Sequence, residues 1–281
     1  MVALQFQFSP ELKPNFKPEF KPEFSAQQAQ LAPQLQSEPA AMDAGLQSDK
    51  AAQLLLLNKD AAQRHSLQQF IADGFHHAYG ANVQTFMPDL LAVQAKGQWQ
   101  AVLGIRSGQN QSLFVEQYLD ADICTVLRSA GIHSSRDSLV EIGNLYSANR
   151  QYTLLLFVVL AYALYQLGYR QLVCCATAQV QDLLQRHGLE LTFLAEGDAS
   201  RLGDSALSWG SYYQSHPKVC ALDLTQAMAL ISSSPRLLAL PHQYWPSLHA
   251  TVTGLSLEQK SGAKTSAATV DQTTVNQGRC A

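Results

Sequence analysis

From Leu154 to Leu164 the chain is apolar without a break, with Thr153 before the run and Gln166 the first strongly polar residue after it. A membrane-spanning helix needs about 20 such residues. This run is shorter and is read as a helix buried in a protein core. A helix apolar on every side must be enclosed by other elements, and the rest of the chain has to supply them.

The material is there. The chain has 281 residues, of which 47% are hydrophobic, enough for one sizeable core. Charged residues make up only 15%, against roughly 25% in an average soluble protein. Gln, Ser and Ala take their place, mostly near the two ends. A formal net charge of −3 speaks against a dedicated polyanion binder, which carries a basic excess, so no nucleic-acid partner is expected. Cys124, Cys174, Cys175, Cys220 and Cys280 form no Cys-x-x-Cys pair. They suit a reducing compartment, with the neighbours Cys174 and Cys175 as small buried hydrophobes. Met1 to Pro10 lacks the basic and apolar regions of a secretory signal, and a cytoplasmic location is expected.

Composition divides the chain in three. Residues 1–62 open with a repeated Lys-Pro-Glu-Phe unit, Lys17 to Phe24, followed by a Gln/Ala-rich stretch. They are read as a disordered tail because Pro blocks regular pairing. Its Phe residues are alternatively anchors for a partner. Residues 251–281 are polar and rich in Ser, Thr and Gln, a second tail. Residues 63–250 form the folded domain.

Within it the elements alternate. His65–His77 has helical apolar spacing in Leu67, Phe70, Ile71 and Phe75. Leu90–Val93 and Trp99–Arg106 read as strands joined by a hairpin at Lys96-Gly97. Leu113 to Asp120 reads as extended, and Ala121–Ala130 as a helix ended by Gly131. Then follow a strand Leu139–Leu145, the buried helix Tyr152–Leu167, a strand Gln171–Ala176, a helix Val180–His187, and strands Leu189–Leu194 and Val219–Leu224. Strand–helix alternation implies parallel neighbours in the second half, and the hairpin adds antiparallel ones. The class is α/β or α+β with a mixed sheet.

Five short motifs, in this order, resemble the bacterial thermostable hemolysin family: Phe75-x3-Tyr79-Gly80-Ala81, Phe86-Met87-Pro88, Glu116-Gln117-Tyr118-Leu119, Glu141-Ile142-Gly143-Asn144-Leu145 and Trp209-Gly210-Ser211-Tyr212-Tyr213. The resemblance spans about Phe70 to Leu224. The element order is also similar to the fold of GCN5-related N-acetyltransferases and of acyl-homoserine-lactone synthases. It implies a mostly antiparallel sheet with flanking helices and a central, splayed parallel pair. It further implies an acyltransferase, with acyl-CoA or acyl carrier protein as donor, a small amine as acceptor and no permanently bound cofactor. A membrane-active hemolysin without enzymatic activity is the alternative, and peripheral membrane contact belongs with it. The synthases carry Arg where this chain has Asn144, which counts against lactone synthesis itself.

The resemblance places candidate residues. Glu141 is the candidate base for the amine, or else the partner of an arginine such as Arg106 in a structural ion pair. Gly143 marks a bulge or is a packing glycine. Asn144 either donates to the thioester carbonyl or satisfies loop backbone. As strand residues, Leu139, Glu141 and Gly143 share one face and Val140, Ile142 and Asn144 the other. Tyr118 is a proton donor to the leaving thiolate or a half-buried aromatic; on an extended segment it shares a face with Glu116. For the donor's phosphates the candidates are Leu145, Ser147, Ala148, Arg150, Gln151 and Tyr152, at a turn opening a helix whose first amides attract anions. The turn lacks the glycine-rich loop of acetyl-CoA users, and an ordinary strand-to-helix turn is the other reading. Glu116, Trp209, Tyr212 and Tyr213 are candidates for the acceptor pocket, the aromatics alternatively forming a lid over the sheet. No His-x-x-x-His or His-Glu-x-x-His spacing, Gly-x-Ser-x-Gly elbow, P-loop or dinucleotide fingerprint is present, and no metal is expected.

Overall fold

Among the described residues seven strands form a single sheet, laid out in the order β1-β2-β3-β4-β5-β7-β6. The computed structural model describes residues 52–109, 112–149 and 151–244. The Lys-Pro-Glu-Phe repeats, the polar segment 251–281, Arg150 and Cys280 lie outside the described residues.

In chain order, β1 (Gln53–Leu57) leads to α1 (Arg64–Tyr79) and then to the hairpin of β2 (Asp89–Ala95) and β3 (Gln98–Ser107). A 3-10 turn over Phe114–Tyr118 precedes α2 (Ile123–Ser129) and β4 (Leu139–Ser147). Next come α3 (Gln151–Gln166), β5 (Gln171–Ala176), α4 (Ala178–Arg186) and β6 (Leu191–Glu196). Two 3-10 segments, Ala199–Trp209 and Tyr212–Ser215, lead to β7 (Lys218–Asp223), α5 (Leu224–Ser233) and α6 (Pro235–Gln243).

Local chemistry accounts for most of these boundaries. Lys96 and Gly97 form the two-residue hairpin loop, both with positive φ, 53° and 75°, the backbone that matches the twist of the flanking strands and favours glycine. Asp122 accepts the Cys124 and Thr125 N–H groups at the start of α2, and Asp223 accepts those of Thr225 and Gln226 at the start of α5. Pro235 opens α6, where its missing N–H costs nothing.

The apolar run is α3, and it is enclosed as expected. Leu156, Leu160 and Leu164 are fully buried between the sheet residues Val140, Ile142, Leu172 and Leu222 and the helices α5 and α6. On the opposite face, α1 packs Leu67, Ile71 and Phe75 over Leu90, Ala92 and Val102. Leu113, Val115, Ile123 and Leu127 cover Leu139, Val173, Val219 and Ala221 beside it. Helices thus cover both faces. Among the described residues only the β4–β5 pair is parallel; the other strand pairs run antiparallel. This is the mixed sheet with a central parallel pair implied by the sequence resemblance.

Four expectations need correction. Gln53–Leu57 falls within the segment read as tail, yet it is a strand paired with β2 from Leu54↔Val93 to Leu57↔Leu90; its run of four leucines supplies the buried edge. Leu113 to Asp120 is not extended. Its amides are taken by carboxylates rather than by a neighbouring strand, with Glu116 accepting the Leu113 N–H at 2.7 Å, and the chain tightens into a 3-10 turn. Glu116 and Tyr118 therefore do not share a strand face. β6 is not the neighbour of β5, because β7 inserts between them, antiparallel to both. Val219 to Leu222 are all buried and need cover on two sides, while β6 has no buried residue and suits an edge. Helices α5 and α6 follow β7 in a stretch for which no element was read.

Leu160→Ala removes a side chain with no solvent exposure from the centre of α3. It is expected to cost about 2–5 kcal/mol, measured as a lowered midpoint in denaturant unfolding.

Candidate functional site

The parallel pair does not run the full length of its strands. β4 and β5 are in register from Leu139↔Gln171 to Ile142↔Cys174. Beyond that point β4 continues on β3 to Ser147, and β5 continues on β7 to Ala176. A bulge in β4 marks the parting. Val102 faces Tyr146 and Gly104 faces Gly143, so Leu103 alone opposes both Asn144 and Leu145. Asn144 holds φ at 48°, a left-handed backbone that asparagine tolerates better than most residues. An extra residue of this kind bends its strand and interrupts pairing.

The bulge also decides where Asn144 points. Its Oδ1 accepts the Met87 N–H at 2.8 Å and its Nδ2 donates to the Thr85 carbonyl at 3.3 Å. The side chain is turned to the α1 face, not to the face of Val140 and Ile142 expected for a regular strand. Its carboxamide satisfies loop backbone. Gly143, one residue earlier, seats the Met87 side chain: a Cβ there would lie 2.6 Å from Met87 Cε, and one on Gly104 would lie 2.5 Å from Met87 Cβ.

Where the strands part there is a cavity of about 510 Å³. On the α1 side it is walled by Phe75, Tyr79, Phe114, Tyr118, Trp209 and Tyr212, and on the other by Thr153, Phe157, Thr177, Val180, Leu183 and Arg186. Glu141 and Arg106 line it between these walls.

Glu141 is 1% exposed on a strand that is otherwise apolar up to Gly143. Its Oε2 accepts the Phe114 N–H at 2.9 Å and its Oε1 the Val115 N–H at 2.8 Å. Arg106 Nη1 stands 3.5 Å from Oε2, the two residues being opposite one another in the β3–β4 register. Burial pushes the Glu141 carboxyl above the ordinary carboxylate range, against the pull of the two amides and Arg106. A carboxylate has about four lone-pair sites. Among the described residues these partners occupy three, leaving one on Oε1.

Tyr118 is buried, its hydroxyl 2.7 Å from that of Tyr213. Burial raises its pKa well beyond the usual phenol value, so the proton stays on oxygen. Tyr212 donates to the Cys175 carbonyl at 3.3 Å. Burial pushes the Cys175 thiol up to about 12. Trp209, Tyr212 and Tyr213 stack edge-on and tilted among themselves and against Phe75, Tyr79, Phe114 and Tyr118. They form one continuous aromatic wall.

The candidate residues are therefore unequally placed. Glu141, Asn144, Tyr118, Trp209, Tyr212, Leu145 and Ser147 line the cavity. Glu116 does not: its carboxylate takes the Leu113 and Ile123 N–H groups and pairs with Arg136, locking the 3-10 turn to α2. Tyr213 stands behind Tyr118 rather than on the cavity. Ala148 donates its N–H to the Gln100 carbonyl. The Gln151 N–H goes to Asn149 Oδ1 and that of Tyr152 to the Asn149 carbonyl. These amides of the α3 turn are thus already spent, and Arg150 lies outside the described residues. The β5–α4 lip, with Thr177 and Arg186, carried no sequence signal. Arg106 does carry one, as the one charged residue of β3, and the sequence reading gives it the role of a partner for Glu141. Among the described residues no three His, Cys, Asp or Glu side chains are grouped to hold a metal.

The family model described as thermostable hemolysin matches residues 57–228. No curated protein matches the chain. Among solved structures, the AHL synthase LasI is similar at 12% identity and TM-score 0.44, covering 62% of this chain and 90% of its own. The CoA-dependent acyl-homoserine lactone synthase BjaI, solved with SAM and isopentyl-CoA, gives 9% identity, TM-score 0.44 and coverages of 65% and 89%. FeeM, an N-acyl amino acid synthase from uncultured soil microbes, gives 13%, 0.44, 64% and 95%.

The raised Glu141 pKa has a stability consequence. Between the ordinary carboxylate range and its higher folded value, the folded state keeps a proton the unfolded chain has lost. Stability therefore falls as pH rises through that interval. Denaturant midpoints measured from about pH 4 to 8 should decline in the wild type relative to Glu141→Gln, whose side chain does not titrate. Asn144→Ala strands the Met87 N–H and strains the left-handed position; it is expected to cost about 1–3 kcal/mol, with Asn144→Gly costing less in the same unfolding experiment.

Proposed function

The chain belongs to the thermostable hemolysin family, and on that premise we propose that it is an acyltransferase moving an acyl group from a thioester on coenzyme A or acyl carrier protein to a small amine. One observation carries this reading: the parallel pair parts beyond Ile142 and Cys174, and the cavity at the parting is lined by a buried carboxylate. The edges of β4 and β5 facing the gap make no strand pairs with each other there. A pantetheine arm, with its two amides, lies between them in the manner of an added strand.

The acceptor amine enters beside Glu141. It arrives as an ammonium, and the remaining lone pair of Oε1 receives one of its three protons, directly or through a water, leaving a neutral amine. The amine nitrogen then attacks the thioester carbon, the C–N bond forms and the C–S bond breaks. The second amine proton passes to the departing thiolate, so the products are an amide and a free thiol. Tyr118 holds a hydrogen bond to the sulfur as charge develops there; its high pKa makes it a donor that keeps its proton, not a source of one. Cys175 stays a thiol near neutral pH, which favours direct attack by the amine over relay through a cysteine. Asn144 acts by keeping the strands apart. The aromatic wall receives the apolar part of a substrate. Arg186 on the α4 lip supplies charge for the donor's phosphates, and Arg150 shares this role on sequence grounds. With donors of this kind the protein works in the cytoplasm.

Purified protein is incubated with acyl-CoA and acyl carrier protein of several chain lengths, and both thermal stabilisation and thiol release on adding amines are recorded. A donor that stabilises the protein and releases thiol supports the reading; no stabilisation and no thiol with any donor refutes it. Glu141→Gln should lower kcat by about 10²–10⁴. The rising limb of the wild-type pH–rate profile should lie above the ordinary carboxylate range and disappear in this variant.

A further inference from the structure

Arg106 presents a guanidinium to the cleft whose hydrogen-bonding capacity is only partly used. Its side chain is 16% exposed and lines the cavity from β3. Among the described residues its one charged partner is Glu141, at 3.5 Å through Nη1, and its Nε is buried with no hydrogen-bond partner. A guanidinium has five donors in a fixed fork, and burying donors unpaired is costly. Glu141 does not absorb them: each of its oxygens already accepts one backbone amide, from Phe114 or Val115, and Arg106 reaches it only through Nη1.

We propose that Arg106 recognises the carboxylate of the acyl acceptor, so that the acceptor is an amino acid and the product an N-acyl amino acid. The proposal rests on the acyl-transfer reading of the cleft. A carboxylate matches the unfilled fork in shape and charge. It also solves a charge problem that the reaction creates. When Glu141 takes the amine proton it becomes neutral, and Arg106 would be left as a lone buried cation unless the substrate brought an anion. The amine and carboxylate of an α-amino acid are separated by a single carbon, and the Glu141 and Arg106 head groups are likewise adjacent. One substrate end meets each. The donor's phosphates do not compete for this position, since they lie at the far end of the pantetheine arm from the thioester. A thioester carbonyl brings no charge to neutralise the cation. The amino-acid side chain is left to face the aromatic wall of Phe114, Trp209 and Tyr212.

The test compares each of the protein amino acids with its amide. Thiol release from the donor the wild type accepts is measured as kcat/KM for both forms, and thermal shift is measured with acceptor alone. The acid should be preferred over its amide by roughly ten- to a hundredfold, the range for hydrogen bonds to a charged group. Arg106→Gln should bring that ratio close to one, whatever it does to the absolute rate. Amino acids, and not their amides, should stabilise the wild-type protein in the absence of donor. Equal use of acid and amide by the wild type overturns the proposal while leaving acyl transfer standing, and this comparison decides the matter even if Arg106→Gln does not fold. No transfer to any acceptor, with stabilisation by amino acids that Arg106→Gln abolishes, upholds carboxylate recognition and removes the acyl-transfer reading. Neither transfer nor stabilisation overturns both.

Discussion

Beyond Ile142 the β4–β5 pair has no further rungs, because one residue too many has been placed in β4 opposite Leu103. Asn144 absorbs the extra residue in a left-handed conformation, and its carboxamide ties the bend to the Thr85–Met87 loop. Every feature of the site follows from this interruption. A sheet paired to its ends would leave no cavity beside Glu141. The interruption is held by the Thr85–Met87 loop in two ways, through its hydrogen bonds with Asn144 and through the Met87 side chain seated across Gly104 and Gly143.

Glu141 joins two tasks. By accepting the Phe114 and Val115 amides it fixes the 3-10 turn that carries Tyr118 to the cavity. By lying almost wholly out of water it acquires a pKa above the ordinary carboxylate range. The structural ion pair and the catalytic carboxyl, which looked like rival accounts of one residue, are compatible in this geometry. The Arg106 contact at 3.5 Å is long for a hydrogen bond.

Much of the fold was legible from local pattern. Periodicity identified α1, the hairpin turn came from Lys96-Gly97, and the apolar run of α3 required helices and sheet around it. The order of the last three strands was not legible, since nothing within Leu191–Glu196 or Lys218–Asp223 alone says which is interior until both are placed beside β5. The segment from Leu113 to Asp120 was misjudged for a similar reason: the group that satisfies its amides, Glu141, is 26 residues away from Val115 in sequence. For the site, Glu141, Trp209 and Tyr212 stood out as residue types in a recognisable order. Glu116 belonged to the same motif as Tyr118 but serves the fold, because its carboxylate turns toward α2 and Arg136.

What the sequence by itself determined was the inventory: a buried helix, strands on either side of it, a carboxylate and an arginine on mostly apolar strands, and a family likeness in five motifs. Tertiary structure decided what those residues do together. The register of β3 against β4 sets Arg106 opposite Glu141, and the bulge turns Asn144 from one face of the sheet to the other. The parting of β4 from β5 creates the space between them. Register, facing and separation are relations between distant segments, fixed by long-range packing and hydrogen bonding, and no local pattern along the chain records them.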